Sequence, residues 1–420
     1  MEPTLEFAKQ LDAQDTLREF RDEFVLPGSG DQTDIYFVGN SLGLMPRRTE
    51  KFIQQELELW GKLGVRGHFM GEHPWLSYHE TVAKPMAAIV GAQENEVVTM
   101  NALTVNLHLM MATFYRPTDR CKKILIEKHA FPSDKNAVES QIRLHGLDPA
   151  ECLVELEPDD GELFSTHQVM ETIHRYRETL ALILLPGVQY YTGQVFDMEL
   201  ITTAAHQHEI LIGFDLAHAA GNIPLELHDW DVDFACWCTY KYLNSGPGAL
   251  AGCFIHEQHA TDTSLDRLAG WWGHDKESRF KMDGSFSPIP TAEGWQLSNP
   301  PILSMAAVRA SLEIFDQVGG IAKLNEKSRM QGEFFRACLA ATMGVRVNVI
   351  APPDVSGCQL SLEVQVDGLD GKQVYEQLET SGVRADWREP NVIRAAPTPL
   401  YNTFEEIWNF VELLDKASRS

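Results

Sequence analysis

Through its middle, the chain alternates between short apolar runs rich in branched residues and longer stretches whose apolar residues recur at helical spacing. The runs are Val97 to Met100, Lys123 to Ile126, Leu153 to Leu156, Leu180 to Leu185, Ile210 to Phe214, Val232 to Cys238 and Ala249 to Ile255. Each is too short for a typical helix and is bounded by turn-forming residues, so each reads as a strand. Ser165-Thr166-His167-Gln168 opens one intervening helix with the Ser-x-x-Gln arrangement of a capping box. Strand, helix, strand repeated several times predicts an α/β fold, a mainly parallel sheet with helices on both faces. Its ligand is expected outside the carboxyl ends of the strands.

The flanks differ. Thr4 to Phe24 carries Leu5, Phe7, Ala8 and Leu11 at helical spacing and predicts an amphipathic helix. Tyr36 to Leu44 reads as a short strand entering a turn, and Arg48 to Leu63 as a helix with Phe52, Ile53, Leu57 and Trp60 on one side. Beyond Pro300 two long helical segments, Ile302 to Val318 and Ile321 to Met343, lead into strands at Val345 to Ile350 and Gln359 to Val366. A helix at Lys372 to Ser381, a strand at Val392 to Ala396 and a final helix from Phe404 follow. The expected organisation is therefore an N-terminal helix and arm over residues 1–45 that packs with the small domain. A large domain over 46–300 and a smaller C-terminal α+β domain over 301–420 follow it.

Charge removes some functions. With 35 basic and 60 acidic residues the formal net charge is −25, so no basic field exists to displace counterions from a nucleic acid. A local cleft can still attract an anionic small ligand. The N-terminus is acidic without an apolar signal core, and the longest apolar run is far too short to cross a bilayer. Seven cysteines, with no Cys-x-x-Cys pair, suit a reducing, cytoplasmic setting and argue against both a disulfide framework and a zinc site. No metal is expected. Cys236 and Cys238 read as small buried hydrophobes.

Chemistry concentrates in two places. Asp215 closes the run Leu211 to Phe214, and Lys241 lies just past the run Val232 to Cys238. Pyridoxal phosphate needs such a pair: an amine to hold its aldehyde and a carboxylate to keep its ring nitrogen protonated. Most lysines are solvated surface residues, but this one is flanked by Tyr240 and Tyr242 ahead of a glycine-rich turn, where desolvation makes an amine nucleophilic. A buried carboxylate such as Asp215 needs a cationic partner. His218 is either a contact to the ring or phosphate or a satisfied histidine. After the strand Val97 to Met100, the start of the next helix and the Thr104 hydroxyl form a candidate phosphate site, although a threonine there is also an ordinary cap. Phe131 can cover one face of a planar cofactor, while Ser133 or Asp134 can equally cap the following helix. Gly246-Pro247-Gly248-Ala249-Leu250-Ala251 fits G-x-G-x-x-A, but it runs into a strand rather than opening a helix, which reads against a dinucleotide site.

These residues carry a resemblance. Tyr36-Phe-Val-Gly-Asn-Ser-Leu-Gly-Leu44, Asn101-Ala-Leu-Thr-Val-Asn-Leu-His108, Phe131-Pro-Ser-Asp134, Gly213-Phe-Asp-Leu-Ala-His218, the run from His228 to Asn244, Ser298-Asn-Pro-Pro-Ile302 and Ile393-Arg-Ala-Ala-Pro397 resemble kynureninases over nearly the whole chain. The resemblance implies a fold-type-I, class-V-aminotransferase-like pyridoxal 5'-phosphate enzyme and a homodimer with shared active sites. It implies hydrolysis of L-kynurenine or 3-hydroxy-L-kynurenine to anthranilate or 3-hydroxyanthranilate and L-alanine, in tryptophan catabolism and NAD biosynthesis. Lys241 then resembles the lysine that holds the cofactor, Asp215 the partner of its ring nitrogen, and Phe131 the stacking ring. Leu103, Thr104, Ser133, Asp134, His218 and Tyr240 stand around the cofactor, with Trp271 and Asn299 supplied by the neighbouring subunit. Ser41, His68, Asn299 and Arg394 match substrate-binding positions, Arg394 as the anchor of the α-carboxylate. On that frame Lys241 removes the Cα proton, water adds to the γ-carbonyl, and Tyr240 is the candidate acid–base group for that hydration. Pro186 stands where some relatives carry serine, so any hydroxyl contact from that position is lost. The rival readings are another fold-type-I enzyme, a cysteine desulfurase or an aminotransferase, and a catalytically silent carrier of the cofactor.

Overall fold

The computed structural model describes residues 1–30, 32–158, 161–282, 284–365 and 370–419. Helix α1 (Leu5–Gln14) is capped by Thr4, whose hydroxyl accepts from the Phe7 amide. It is shorter than the sequence predicts. At Asp15 the backbone turns extended, and the Asp15 carboxylate takes the Leu17 amide and pairs with the buried Lys327 ammonium at 2.7 Å. A 3-10 turn, Arg18–Glu23, follows. Helix α2 (Arg48–Leu63) forms where it is expected.

The main sheet has seven strands: β1 (Val97–Met100), β2 (Lys123–Glu127), β3 (Leu153–Leu156), β4 (Leu180–Pro186), β5 (Leu211–Asp215), β6 (Phe234–Cys238) and β7 (Ala251–Ile255). Their spatial order is β1-β7-β6-β5-β4-β2-β3. All neighbours are parallel except that β7 runs antiparallel between β6 and β1. Central strands β5 and β6 are buried almost throughout, as strands covered by helices on both faces must be. Helix α3 (Leu103–Phe114) follows β1, and α4 (Pro132–Leu144) follows β2. The Gly246–Ala251 segment enters β7 and opens no helix, so the dinucleotide pattern has no structural counterpart.

Two long helices come next, α5 (Ile302–Val318) and α6 (Ile321–Thr342). A second sheet is built from β8 (Val347–Val349), β9 (Leu360–Val364), β10 (Asp386–Arg388) and β11 (Val392–Ala395), all antiparallel in the order β8-β9-β11-β10. Val366, the expected end of β9, lies outside the described residues. Helix α7 (Gly371–Thr380) and helix α8 (Phe404–Ala417) cover this sheet. Strand β10 is not visible in the sequence: Asp-Trp-Arg is short, charged and followed by Glu389-Pro390, so its pairing with β11 decides its conformation.

The apolar cores do not follow the expected division at residue 300. Met305, Val308, Leu312, Ile314 and Phe315 of α5 join the core of the seven-stranded sheet, where α5 packs on α2. Buried apolar side chains on most of the helix's turns, from Met305 to Val318, place it there. Helix α6 begins in that first core with Ile321 and Leu324. It ends in the second, where Phe334, Phe335, Leu362, Ile393 and Phe410 pack together with Ala8 and Leu11 of α1.

At the end of the large sheet away from the strand carboxyl termini, Asp233 ties neighbouring elements together. Its carboxylate accepts from the Ile212 amide at 2.7 Å, from His206 Nε2 at 2.9 Å and from His259 Nε2 at 2.6 Å. Burial alone raises its pKa, but the hydrogen bonds from both histidines and the amide outweigh burial and bring it below the usual value. The same bond raises His206 against its own desolvation. The Asp233 contribution is therefore present above the ordinary aspartate range and lost as pH falls through its lowered folded pKa. The His206 contribution is complete below about pH 6.5 and lost as pH rises through its raised folded pKa. Asp233→Ala is expected to cost about 3 kcal/mol in denaturant unfolding, with the largest deficit between about pH 4 and 6.5. A deficit that does not vary with pH would show that the carboxylate is not paired as described.

Candidate active site

A cavity of about 340 Å³ opens at the carboxyl ends of β2, β4, β5 and β6 and reaches the second sheet. Lys241 lies just beyond β6. Its loop is fixed by a close backbone approach: the Gly43 amide donates to the Tyr240 carbonyl at 2.8 Å, and a Cβ on Gly43 would lie 2.2 Å from the Lys241 carbonyl oxygen. Only glycine fits there. The Lys241 ammonium sits 3.0 Å from His218 Nε2. Burial, with the positive charges of Lys241, Arg394 and Arg388, drives the His218 pKa well below its ordinary value. The imidazole is therefore neutral, accepts from Lys241 at Nε2, and carries its proton on Nδ1. That Nδ1 is buried without a protein partner.

Asp215 ends β5 and is buried, and its Oδ1 accepts from the Ala217 amide at 2.6 Å. Desolvation raises its pKa, against the Ala217 amide, a hydrogen bond from Asp134 and the Lys241 charge. Asp134 is raised much further, by desolvation first and then by Asp215. Of the two, Asp134 holds the proton and Asp215 receives it as a hydrogen bond. Glu127, the last residue of β2, is raised well above its ordinary value by complete burial and by Asp215. One end of the cavity thus presents two buried carboxyl groups, the half-buried one of Asp134, one ammonium and a neutral imidazole.

Two helix starts also face the cavity. Helix α3 begins after Ala102 and α4 after Phe131 with Pro132 in its first turn, and neither has a side-chain cap. Thr104 Oγ1 and Ser133 Oγ, which the sequence allowed as ordinary caps, bond to each other at 2.7 Å and join the two helix starts. Uncapped first-turn amides beside two hydroxyls make an anion site. Phe131 is half-exposed, with its ring edge-on to Tyr190 at 5.2 Å. Tyr240 is a weaker acid than usual, chiefly through burial and then through Cys238, so its phenol keeps its proton and acts as a donor.

The opposite end is built by the second sheet. Arg394 is only 1% exposed. It donates through Nη1 to the Tyr190 carbonyl at 2.6 Å and through Nη2 to Ser41 Oγ at 3.3 Å and to the Asp386 carboxylate. Ser41 Oγ donates to the same carboxylate at 2.5 Å.

A family model described as the kynureninase C-terminal domain matches residues 324–414. The chain is 52% identical over 411 residues to the kynureninase of Xanthomonas axonopodis pv. citri (strain 306), covering 97% of both proteins. It is 52% identical over 407 residues to the kynureninase of Stenotrophomonas maltophilia (strain K279a), covering 96% of this chain and 95% of that one. The chain belongs to the kynureninase family. Among solved structures, a C-DES mutant with glycine covalently linked to its PLP cofactor superposes with a TM-score of 0.78 at 16% identity, over 94% of this chain and 98% of that one. The cysteine desulfurase CsdA of Escherichia coli gives 0.76 at 17% identity, over 96% and 98%. These likenesses place the fold with the fold-type-I enzymes.

The donor set of this kynureninase-family cavity fits pyridoxal phosphate: an amine, a buried carboxylate, an uncapped anion site, an aromatic face and a buried imidazole N–H with no acceptor. Ser41, Leu103, Thr104, Phe131, Ser133, Asp134, Asp215, His218, Tyr240, Lys241 and Arg394 all line it. Three expected residues do not. His68 packs its ring edge on Trp75 at 5.3 Å, Trp271 is half-exposed and donates to the Arg279 carbonyl, and Asn299 is exposed on the same chain's surface. Sequence reasoning passed over Glu127, Asn40, Tyr190, Val188 and Arg388, which also form the wall. Glu127 had a signal, since an acid closing a buried strand repeats the logic that singled out Asp215. Pro186 is part of the wall without offering a hydroxyl.

Proposed function

We propose that this chain hydrolyses L-kynurenine, or its 3-hydroxy form, to anthranilate, or 3-hydroxyanthranilate, and L-alanine. The observation that carries the reading is one cavity with an amine–carboxylate pair at one end and a buried guanidinium at the other, in a chain half identical to named kynureninases. Lys241 would hold pyridoxal phosphate at its aldehyde and Asp215 at its ring nitrogen. The helix starts with Thr104 and Ser133 would hold the phosphate, and Phe131 would cover the ring. When bound, the cofactor supplies an electron sink for charge left on the substrate Cα.

The residues then divide the work. Arg394 anchors the α-carboxylate and fixes the Cα–H bond relative to Lys241. Lys241 Nζ takes the Cα proton as a neutral amine, and His218, being neutral, accepts a hydrogen bond from the ammonium so formed. Tyr240, protonated, donates at the γ-carbonyl oxygen as water adds there. Cleavage of the Cβ–Cγ bond leaves the aryl carboxylate on one fragment, and a proton delivered to Cβ, with return of a proton from Lys241 Nζ to Cα, completes alanine. A cysteine desulfurase is not favoured, because no cysteine lines the cavity.

Further parts of the reading are a homodimer in which Trp271 and Asn299 reach the partner's cavity, His68 and Asn299 at the aryl end of the substrate, and a cytoplasmic setting. The exposure of Trp271 and Asn299 supports the first. Among the described residues no helix is long and apolar enough to cross a membrane. Purified protein with pyridoxal phosphate and L-kynurenine is expected to release fluorescent anthranilate and one equivalent of L-alanine. Absence of both aryl products from either kynurenine substrate would sink the proposal.

A further inference from the structure

We propose that Arg388 is a second guanidinium of the carboxylate-binding end of the cavity, set beside Arg394 by the carboxylate that both share, Asp386. The inference rests on the proposed binding of an α-amino acid in this cavity.

Register places the three residues. On β10, Asp386 and Arg388 are two apart and point to one face, while Trp387 points to the other. Asp386 pairs directly with Arg394 across the antiparallel ladder, and Arg388 pairs with Val392. Trp387 packs against the second core beside Tyr375, and Ile393 is buried there. The opposite face, carrying both arginines and the aspartate, is therefore turned from the core, and Arg388 and Arg394 both line the cavity.

Hydrogen bonding shows what remains unfilled. Asp386 Oδ2 receives Arg394 Nη2, Arg388 Nη2 at 3.1 Å and Ser41 Oγ at 2.5 Å. Arg394 Nη1 is taken by the Tyr190 carbonyl. Arg388 Nη1 is taken by the Trp387 carbonyl at 3.3 Å, and the Nε of each guanidinium is buried without a hydrogen-bond partner. Two positive groups around one carboxylate leave this end with an excess positive charge. Arg394 alone, with both terminal nitrogens engaged by protein groups, does not present the two free N–H groups of a bidentate fork. Two orphaned donors from two guanidiniums match an incoming carboxylate's two oxygens, and the carboxylate neutralises the excess charge. Arg388 is the more exposed of the pair, its side chain about a third accessible, so it is also the one an incoming anion meets first.

The test uses holoenzyme and the absorbance of the bound cofactor, titrated with L-alanine and with L-alaninamide, which lacks the carboxylate. Arg388→Gln is expected to weaken L-alanine by about tenfold or more, the scale of one charge-assisted hydrogen bond, and to change L-alaninamide by less than about twofold. Arg388→Lys, which keeps the charge and loses the fork, is expected to recover part of the loss. Equal weakening of both ligands would assign Arg388 a structural role and overturn the proposal. So would an unchanged affinity for L-alanine, or no response of wild-type holoenzyme to L-alanine. Because the readout needs no carbon–carbon cleavage, failure to form anthranilate with the alanine–alaninamide difference intact would remove the proposed reaction and leave this assignment standing.

Discussion

Lys241→Ala is expected to abolish anthranilate formation, by about 10³-fold or more, while the fold survives. Lys241 is the one lysine among the described residues lining the cavity, and its ammonium bonds to a neutral His218 rather than to a carboxylate. An amine so placed is not neutralised by an ion pair and is available to the substrate. In the proposed reaction, removing it deletes both the attachment point and the base that takes the Cα proton, and a positioned general base alone contributes about 10²–10⁴-fold. The side chain faces the cavity and not the apolar core, so the unfolding midpoint should hardly move. Product fluorescence with matched unfolding curves checks both halves, and residual turnover above about a tenth of wild type would remove Lys241 from its role. The same variant reports on the subunits. Mixed with inactive Asn299→Ala protein, it should regain measurable activity as subunits exchange, and no recovery with exchange verified would count against shared sites.

Asp215→Asn is expected to separate activity from stability. The amide keeps an oxygen for the Ala217 N–H but removes the charge that would hold a protonated ring nitrogen, so turnover should fall by about 10²–10⁴-fold and pyridoxal phosphate should bind more weakly. Stability of the cofactor-free protein should move the other way. Burial raises the Asp215 pKa in the folded chain, so its ionised form is penalised there, and stability falls as pH rises through and above the ordinary aspartate range. The asparagine variant lacks that penalty. Its cofactor-free form should be at least as stable as wild type at pH 7 and should lack the Asp215 share of the pH slope. A variant that loses stability together with activity would show that the carboxylate is structural.

Much of this site was legible because its residues announce themselves locally. Asp215 and Lys241 each end an apolar run, and strand ends in a parallel sheet are where ligands gather. The role of Thr104 and Ser133 was less legible. A hydroxyl near a helix start has the same sequence whether it caps that helix or reaches across to its neighbour, and only the observed pairing of α3 with α4 decides. Strand β10 was invisible for a different reason. Three charged or aromatic residues before a proline carry no periodic pattern, and their conformation is imposed by a partner strand contributed from elsewhere in the fold. The N-terminal helix ended early because Asp15 reaches Lys327, a partner more than three hundred positions away that no local reading contains.

The two ends of the cavity belong to different sheets, each with its own apolar core. The seven-stranded sheet presents the groups suited to the cofactor, and the four-stranded sheet presents the guanidiniums. Recognition is thereby modular. Exchanging side chains along the hairpin that carries Asp386, Arg388 and Arg394 would change the end that meets the substrate, and would reach the cofactor end only through the charge that both guanidiniums place on His218.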